Sequence, residues 1–455
     1  MKKKHARKKL VMKKMAVALL GAGLFQAAAA RTNLLEVLLA NGTITQEQYE
    51  ELKSQQESEA KKEKKEQESP KSNVVVEQKG GGFQIRTADG AFSFQPKGRL
   101  EMDSAWYFSD KSKLGDDAEL RRAFLAMSGR MYKYFDYIVE YDFAASSFQD
   151  TYVQFNYYDP LLITVGHFKE PFSLEQLTSD LHTTFMERSL ADTLAMGRRV
   201  GVGVSAYNNI GTLSWGAFWG SPSDNNKKED NWNEEKSGWR TAARATFAPI
   251  HEEGKVAHVG AAVDYWDPKT QEGVRYRSRP ESHITDVYLA DTSSIADVDN
   301  VVTGGVELLG IYGPASLQAE YMNASVNRSS GLNDLGLSGW YVLASYFLTG
   351  ESRAYDAKKG VIDRVKPKHN FPGGPGAWEV ALRYSQLDLQ DKDVKGGKES
   401  NITAGLNWYL NPNLKVKGEY LHVSADPSTA AVSANPHKGE KDEPQAVQMR
   451  VQYDF

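Results

Sequence analysis

The chain has 455 residues, with 55 Lys and Arg against 59 Asp and Glu, 11% aromatic residues and no cysteine. That length without cysteine excludes a small disulfide-stapled exported scaffold, and the acidic balance argues against a general nucleic-acid binder. Low hydropathy together with many aromatics fits a strand-built membrane protein, whose lumen and loops are polar and whose strands give only one face to lipid.

Lys2, Lys3, Lys4, Arg7, Lys8, Lys9, Lys13 and Lys14 form a basic run ahead of a short apolar segment, Met15 to Phe25, and four alanines, Ala27 to Ala30. This is the pattern of a secretory signal peptide, residues 1–30, with cleavage after Ala30; its apolar part is too short for a membrane-spanning helix. Removing it leaves 47 Lys and Arg against 59 acidic residues. No later stretch approaches about 18 unbroken apolar residues, so no helical span is expected.

Residues 31–79 read as a periplasmic helical and linker segment. Leu34, Leu35, Val37, Leu38 and Leu39 make a short amphipathic helix ended by Asn41-Gly42. Thr45 and Gln48 have the spacing of a capping box, with Ile44 and Tyr49 at staple positions. From Glu50 to Gln67 almost every residue is charged or an amide, up to Pro70, as in a solvated helix or linker. A self-associating stalk is the alternative, but apolar periodicity after Leu52 is too thin for a long coiled coil. Gly80-Gly81-Gly82 marks the start of the next domain, 80–455. Phe83-Gln84-Ile85 and Phe92-Ser93-Phe94 suggest a small hairpin turned at Asp89-Gly90.

From Lys97 on, the pattern has a period of two. Tyr137, Val139, Tyr141 and Phe143 oppose Glu140 and Asp142. Trp378, Val380, Leu382 and Tyr384 oppose Glu379, Ala381, Arg383 and Ser385. Ile402, Ala404, Leu406 and Trp408 share one face. Lys415, Lys417 and Glu419 oppose Leu414, Val416 and Tyr420. In the last stretch, Val447 to Phe455, every odd position is apolar and every even one polar. Strands of about 9–11 residues with apolar-out, polar-in alternation are the units of a transmembrane barrel. A closing strand ending in Phe455 also resembles those that the barrel-insertion machinery recognises.

Tight turns near Lys133-Tyr134, Asp159-Pro160, Asn208-Asn209, Gly313-Pro314 and Asn411-Pro412 alternate with long connections near 108–117, 169–197, 221–237, 267–300, 390–398 and 425–444. The alternation gives an all-β fold, a transmembrane antiparallel barrel of about 16 strands, provided that Ile284 to Leu289 lies in a loop. One connection, 351–375, is long where a short turn is due. A barrel of that size holds an aqueous channel and needs something to narrow it. Lys169 to Gly197 is the natural element: it mixes Pro171, Phe172, Leu174, Leu177, Phe185 and Met186 with Glu175, Asp180, Glu187 and Arg188, and should fold inward against the wall.

Arg121-Arg122 lies within the second strand, where strict alternation lets only one side chain point into the lumen. The other in mid-depth lipid would cost about 2–4 kcal/mol, which predicts a loop-covered or subunit-covered wall. Arg275, Arg277 and Arg279 recur at every second residue and form one row if the segment is extended. Guanidinium forks match phosphate and carboxylate oxygens, and a row at an entrance would pass anions along. An exposed charged loop is the plain alternative.

With these motifs in hand, residues 97–455 resemble the phosphate-selective porins of the O and P type from Gram-negative outer membranes. The matching stretches are Gly98-Arg99-Leu100, Leu120-Arg121-Arg122-Ala123-Phe124-Leu125, Gly166-His167-Phe168 with Glu187-Arg188, and Phe247-Ala248-Pro249-Ile250-His251-Glu252. Later come Arg275-Tyr276-Arg277-Ser278-Arg279, Leu348-Thr349-Gly350-Glu351, Gly376-Ala377-Trp378-Glu379, Asn407-Trp408-Tyr409 and the closing strand. The resemblance implies a homotrimer of sixteen-stranded barrels passing small anions, phosphate or polyphosphate among them, without a cofactor. It also implies a central anion site at Arg121, Arg122, Arg99 and Asp150, an arginine ladder at Arg275, Arg277 and Arg279, and Arg188 on the constriction loop. Phosphate-selective members carry a lysine after a Leu-Glu pair in that loop; here Gln176 follows Leu174-Glu175. Lys169 is the nearby ammonium, and phosphate selectivity is the property this change puts in doubt.

A barrel enzyme would need a nucleophile with a base in reach. Gly201-Val202-Gly203-Val204-Ser205 lacks the glycine spacing of a nucleophile elbow, and His251 and His258 flank a turn with no helix to set ligand spacing. A barrel-anchored structural or adhesive protein remains as the third class, and a weakly selective general porin as a fourth.

Overall fold

The structure, a computed structural model, describes residues 39, 41–42, 45–50, 53–54, 74–219, 238–268, 273–426 and 440–455. The expected signal peptide, the expected helix Leu34 to Leu39 apart from Leu39 itself, and most of the charged run lie outside the described residues. The chain divides into two units, Met1–Asn73 and Val74–Phe455. In the first, the capping box is formed: the Gln48 amide donates to Thr45 Oγ1 at 3.3 Å and the Thr45 amide to Gln48 Oε1 at 3.0 Å. Gly42 has the left-handed φ of 70° expected of a helix stop and donates to the Leu39 carbonyl.

The second unit begins with a hairpin, β1 (Val74–Lys79) and β2 (Gly82–Thr87), turned at Gly80-Gly81. The turn at Asp89-Gly90 is also present, but β2 meets the next strand only at Ile85–Phe94 and Arg86–Ser93. Ser93 and Phe94 already belong to that strand, β3 (Ser93–Phe108). There follow β4 (Asp117–Met131), β5 (Phe135–Asp142), β6 (Ser147–Phe155), β7 (Leu161–Lys169), β8 (Arg198–Asn208) and β9 (Gly211–Trp219). Then come β10 (Trp239–Glu252), β11 (Lys255–Asp267), the two-residue strands β12 (Arg277–Ser278) and β13 (Ala290–Asp291), β14 (Val298–Tyr312), β15 (Ala315–Arg328) and β16 (Leu335–Phe347). The chain continues through β17 (Ala354–Asp356), β18 (Val361–Asp363), β19 (Ala377–Asp391), β20 (Val394–Asn411), β21 (Leu414–Asp426) and β22 (Gln445–Asp454). Leaving out β1, β2 and the four short strands, sixteen antiparallel neighbours remain among the described residues. They close on themselves where β22 pairs with β3, from Gln445–Phe108 to Asp454–Arg99.

The closing strand shows why these segments are strands. Gln448, Arg450, Gln452 and Asp454 are buried on the lumen face, while Val447, Met449 and Tyr453 are exposed outside. The same division runs through β19 to β21, with Glu379, Arg383, Asn401, Thr403, Lys417 and Glu419 inside and Val380, Leu382, Ile402, Leu406 and Tyr420 outside. Apolar residues exposed in such numbers would be a liability in water and are the exterior that lipid requires. Tyr134, Tyr157 and Tyr158 cluster edge to face at the short-turn end, and Trp378 stacks on Trp408 at 5.2 Å, as an interfacial girdle does.

Two connections differ from expectation. The stretch 390–398 is no long loop: β19 and β20 run to Asp391 and from Val394, with a two-residue turn between. Polar residues there extend a hairpin because they pair with each other across the strands, as Lys398 does with Asp388 at 3.2 Å. The stretch 348–376 lies at the short-turn end and carries the β17–β18 hairpin, which is folded into the barrel. Arg353 is buried against Glu379, Arg244 donates to the Gly360 carbonyl at 2.7 Å, and Tyr355 meets His258 Nδ1 at 2.7 Å. Ile284 to Leu289 lies in a loop, as the alternation required.

The apolar core is inside the barrel. Phe172, Leu190, Leu194 and Met196 of the loop after β7, with Val274, Ala290 and Ile295 of the loop after β11, pack on Val301, Met322, Ala324, Val326, Leu337 and Leu387 of the wall. So β14 to β20 are apolar on part of their inner face, where loops cover them. Each large side chain buried this way contributes about 1.5–3 kcal/mol.

Candidate functional site: the constriction

Loop 170–197 lies across the lumen because the wall offers it both sockets and hydrogen bonds. Gly305, Gly339 and Gly405 leave hollows on the inner face. A Cβ at Gly405 would come 3.0 Å from the Phe185 ring, one at Gly305 3.0 Å from Phe172, and one at Gly339 2.9 Å from Ala191. Around Phe185 the loop backbone is held by wall side chains. Lys417 Nζ donates to the Thr183 and Phe185 carbonyls at 2.9 Å, Asn407 to Thr184, and Arg450 to Met186, while the Met186 amide donates to Glu419 at 2.6 Å. At the short helix α1 (Leu174–Leu177), the amides of Leu174 and Glu175 donate to Glu320 at 2.9 and 2.7 Å. A carboxylate on free helix amides is a favourable pairing.

Arginines converge on this loop. Arg121 makes a two-pronged bond to Glu187, at 2.9 and 3.1 Å. Arg122 donates to Glu101 at 2.6 Å and lies 3.6 Å from Asp180. Arg99 is 3.6 Å from Asp180 and stands over the Phe124 ring at 4.4 Å. Arg188 bonds Asp180 and donates to the Glu175 carbonyl at 3.2 Å. Both members of the Arg121-Arg122 pair face inward, contrary to strict alternation. Arg122 pairs with Glu101 and Leu120 with Met102, so Arg121 is the extra residue of a β-bulge. A bulge resets which way the side chains point, so neither Arg121 nor Arg122 is left to lipid or to a covered outer wall.

Asp150 is half-buried and paired with Arg198, which grips it at 2.7 and 3.3 Å, rather than with Arg99. Lys169 Nζ donates to the carbonyls of Gln176 at 2.5 Å and Thr178 at 3.2 Å. Its ammonium therefore lies beside the position where the lysine is missing, spent on loop backbone. Arg275, Arg277 and Arg279 do alternate with buried Val274 and Ser278, but they lie in the loop after β11 and have their own partners. Arg275 bonds Asp291, Arg279 bonds Asp286 at 2.7 Å, and Arg277 stacks on Tyr288 at 4.2 Å.

Arg198 and Arg450 were not singled out from the sequence. Arg450 is fully buried, bonded to Asp103 at 2.7 and 2.6 Å and to Glu187 at 2.7 Å. The signal existed, since an arginine on the polar face of a strand must find a counter-charge, but the partner lies 347 residues away. In the loop, burial would raise the Asp180 and Glu187 carboxyls, yet the surrounding guanidiniums hold both well below the usual range. Burial together with the Glu175 charge pushes Asp192 up to about 6 against the pull of Arg188.

The open space lies on the opposite side, against β3 to β6. One cavity of about 370 Å³ is bordered by Lys97, Arg99, Phe124, Glu140, His182 and Arg364. A second, of about 510 Å³, is bordered by Lys79 and Arg86 of the β1–β2 hairpin together with Lys97, Arg130, Asp136 and Tyr152.

A family model described as "Phosphate-selective porin O and P" matches residues 94–455. The chain belongs to that family. Porin O of Pseudomonas aeruginosa is 28% identical over 398 residues, covering 79% of this chain and 89% of that protein. An uncharacterized protein of Caulobacter vibrioides is 30% identical over 340 residues, covering 72% and 68%. Among solved structures, an anion-selective porin from Comamonas acidovorans is 15% identical with a TM-score of 0.48, covering 80% of this chain and all of that one. OmpT of Vibrio cholerae is 11% identical with a TM-score of 0.49, covering 80% and 98%. As a member of the porin O and P family, the protein is an outer-membrane porin, a channel.

Proposed function

We propose that this porin passes small anions, phosphate or polyphosphate among them, by passive diffusion through the arginine-lined constriction. The observation that carries the reading is the convergence of Arg99, Arg121, Arg122 and Arg188 at one loop, with Arg99 at the edge of the cavity of about 370 Å³. Charged rings and donor forks set the sign of the permeant ion. Arg198, with Asp150, and Lys169 complete the central site, and Arg275, Arg277 and Arg279 guide anions toward it. We also propose that the working unit is a homotrimer of non-enzymatic barrels. The chain would be exported by residues 1–30, carry 31–79 in the periplasm, and enter the membrane through recognition of the strand ending at Phe455.

In a planar bilayer under a KCl gradient, the reversal potential of the purified protein should show anion preference. A cation-selective value overturns the reading. A weakly selective general porin is the second reading, favoured by one observation: each central arginine already faces a carboxylate.

A further inference from the structure

Asp180 is placed where a solute anion would sit. Its carboxylate lies 3.6 Å from Arg99, 3.6 Å from Arg122 and in direct contact with Arg188, so three guanidiniums from two strands and one loop converge on it. It is a loop residue, brought there by the 178–183 turn, in which the Thr183 hydroxyl donates to the Asp180 carbonyl at 3.0 Å. Arg99 Nε and Nη1 are buried and donate no hydrogen bond, although the same guanidinium borders the cavity of about 370 Å³. Glu101 gives its Oε2 to Arg122 at 2.6 Å and to Arg450 at 3.3 Å, while its Oε1 stands 3.9 Å from Arg99 and accepts no hydrogen bond. The site thus has an oxyanion's worth of donors, an approach from the cavity and an occupant tethered by the chain.

We propose that Asp180 is a specificity-determining residue: a built-in carboxylate that competes with solute oxyanions for Arg99, Arg122 and Arg188 and keeps phosphate binding weak. The proposal rests on the anion-channel reading above. A tethered group competes at a high effective concentration fixed by the chain, so a mobile phosphate binds only by displacing it. Its removal frees charge-assisted donors for the solute, and the negative charge that repelled the solute goes with it. The consequence is a channel that lets anions through without holding them. The tight site stays latent, one side chain away.

The test is phosphate titration of the chloride current through the purified full-length porin in planar bilayers. Asp180→Asn and Asp180→Ser should lower the half-blocking phosphate concentration at least about tenfold, the effect of one charge-assisted bond. Asp180→Glu keeps the charge and should stay near wild type. As a second readout, phosphate should raise the unfolding temperature of Asp180→Asn more than that of wild type, because a ligand stabilises the folded state it binds. An anion-selective wild type whose block is unchanged in both neutral variants overturns this inference alone. A cation-selective wild type overturns the anion-channel reading, and this inference with it.

Discussion

At the scale of single residues, the constriction is a lattice of paired charges rather than a bare cationic ring. Glu101 is fully buried and faces Arg122, Arg450 and Arg99 at 2.6, 3.3 and 3.9 Å. Removing one partner of a buried pair costs about 3–5 kcal/mol when the other is left alone. With two guanidiniums still facing Glu101, Arg122→Ala should cost nearer the about 1.5–3 kcal/mol of one charged hydrogen bond, measurable by thermal unfolding. In the double variant Arg121→Ala/Arg122→Ala, Glu101 and Glu187 each lose a partner. Its reversal potential should move toward cation preference and phosphate should block it less. If neither changes, the pair is wall structure only. Gln176→Lys should strengthen the phosphate block, since it restores an ammonium next to Lys169 and Arg188.

Acid provides another test at this scale. With its carboxyl raised to about 6, Asp192 is ionised at neutral pH and loses its negative charge as pH falls through about 6. It lies 4.0 Å from Arg188, so anion preference should rise on going from pH 7 to pH 5. Asp192→Asn should weaken that dependence and bring the pH 7 value closer to the one at pH 5.

At the scale of elements, the constriction loop is fixed by shape as much as by charge. Phe185 is buried in the hollow over Gly405, with Arg383 stacked on its ring at 4.5 Å. Phe185→Ala removes a buried aromatic, at a cost of about 3–5 kcal/mol. Gly405→Val fills the hollow from the other side. Both should loosen the loop and raise single-channel conductance. Unaltered conductance in both would mean that the hydrogen bonds from Lys417 and Asn407 are sufficient. The inward fold of this loop was readable from its apolar content, whereas the hollows that receive it were not, because Gly405 is one of 38 glycines in the chain. Likewise, a one-residue bulge at Arg121 leaves no mark in the local pattern; its cause is the pairing of β4 with β3.

At the scale of the whole molecule, a sixteen-stranded barrel is wide enough for an open aqueous channel, and much of this one is filled. Two loops pack on β14 to β20 from one end and the β17–β18 hairpin enters from the other. Val361 and Ile362 of that hairpin lie in one apolar cluster with Leu174 of the constriction loop. Deleting residues 354–363 should therefore widen the channel, with higher conductance and weaker ion selectivity, while leaving the barrel closed. The closed barrel is checked by a gel shift on boiling, which the deletion should retain.

The sequence by itself determined the barrel, its strand number and its inside and outside. Those follow from a period of two and from the alternation of short and long joints, both local properties of consecutive residues. The tertiary structure alone decided which arginine meets which carboxylate, that 348–376 turns inward, and that part of the inner wall is dry. Each of these depends on what stands opposite a residue across the lumen, and residues facing each other there can be hundreds of positions apart in the chain.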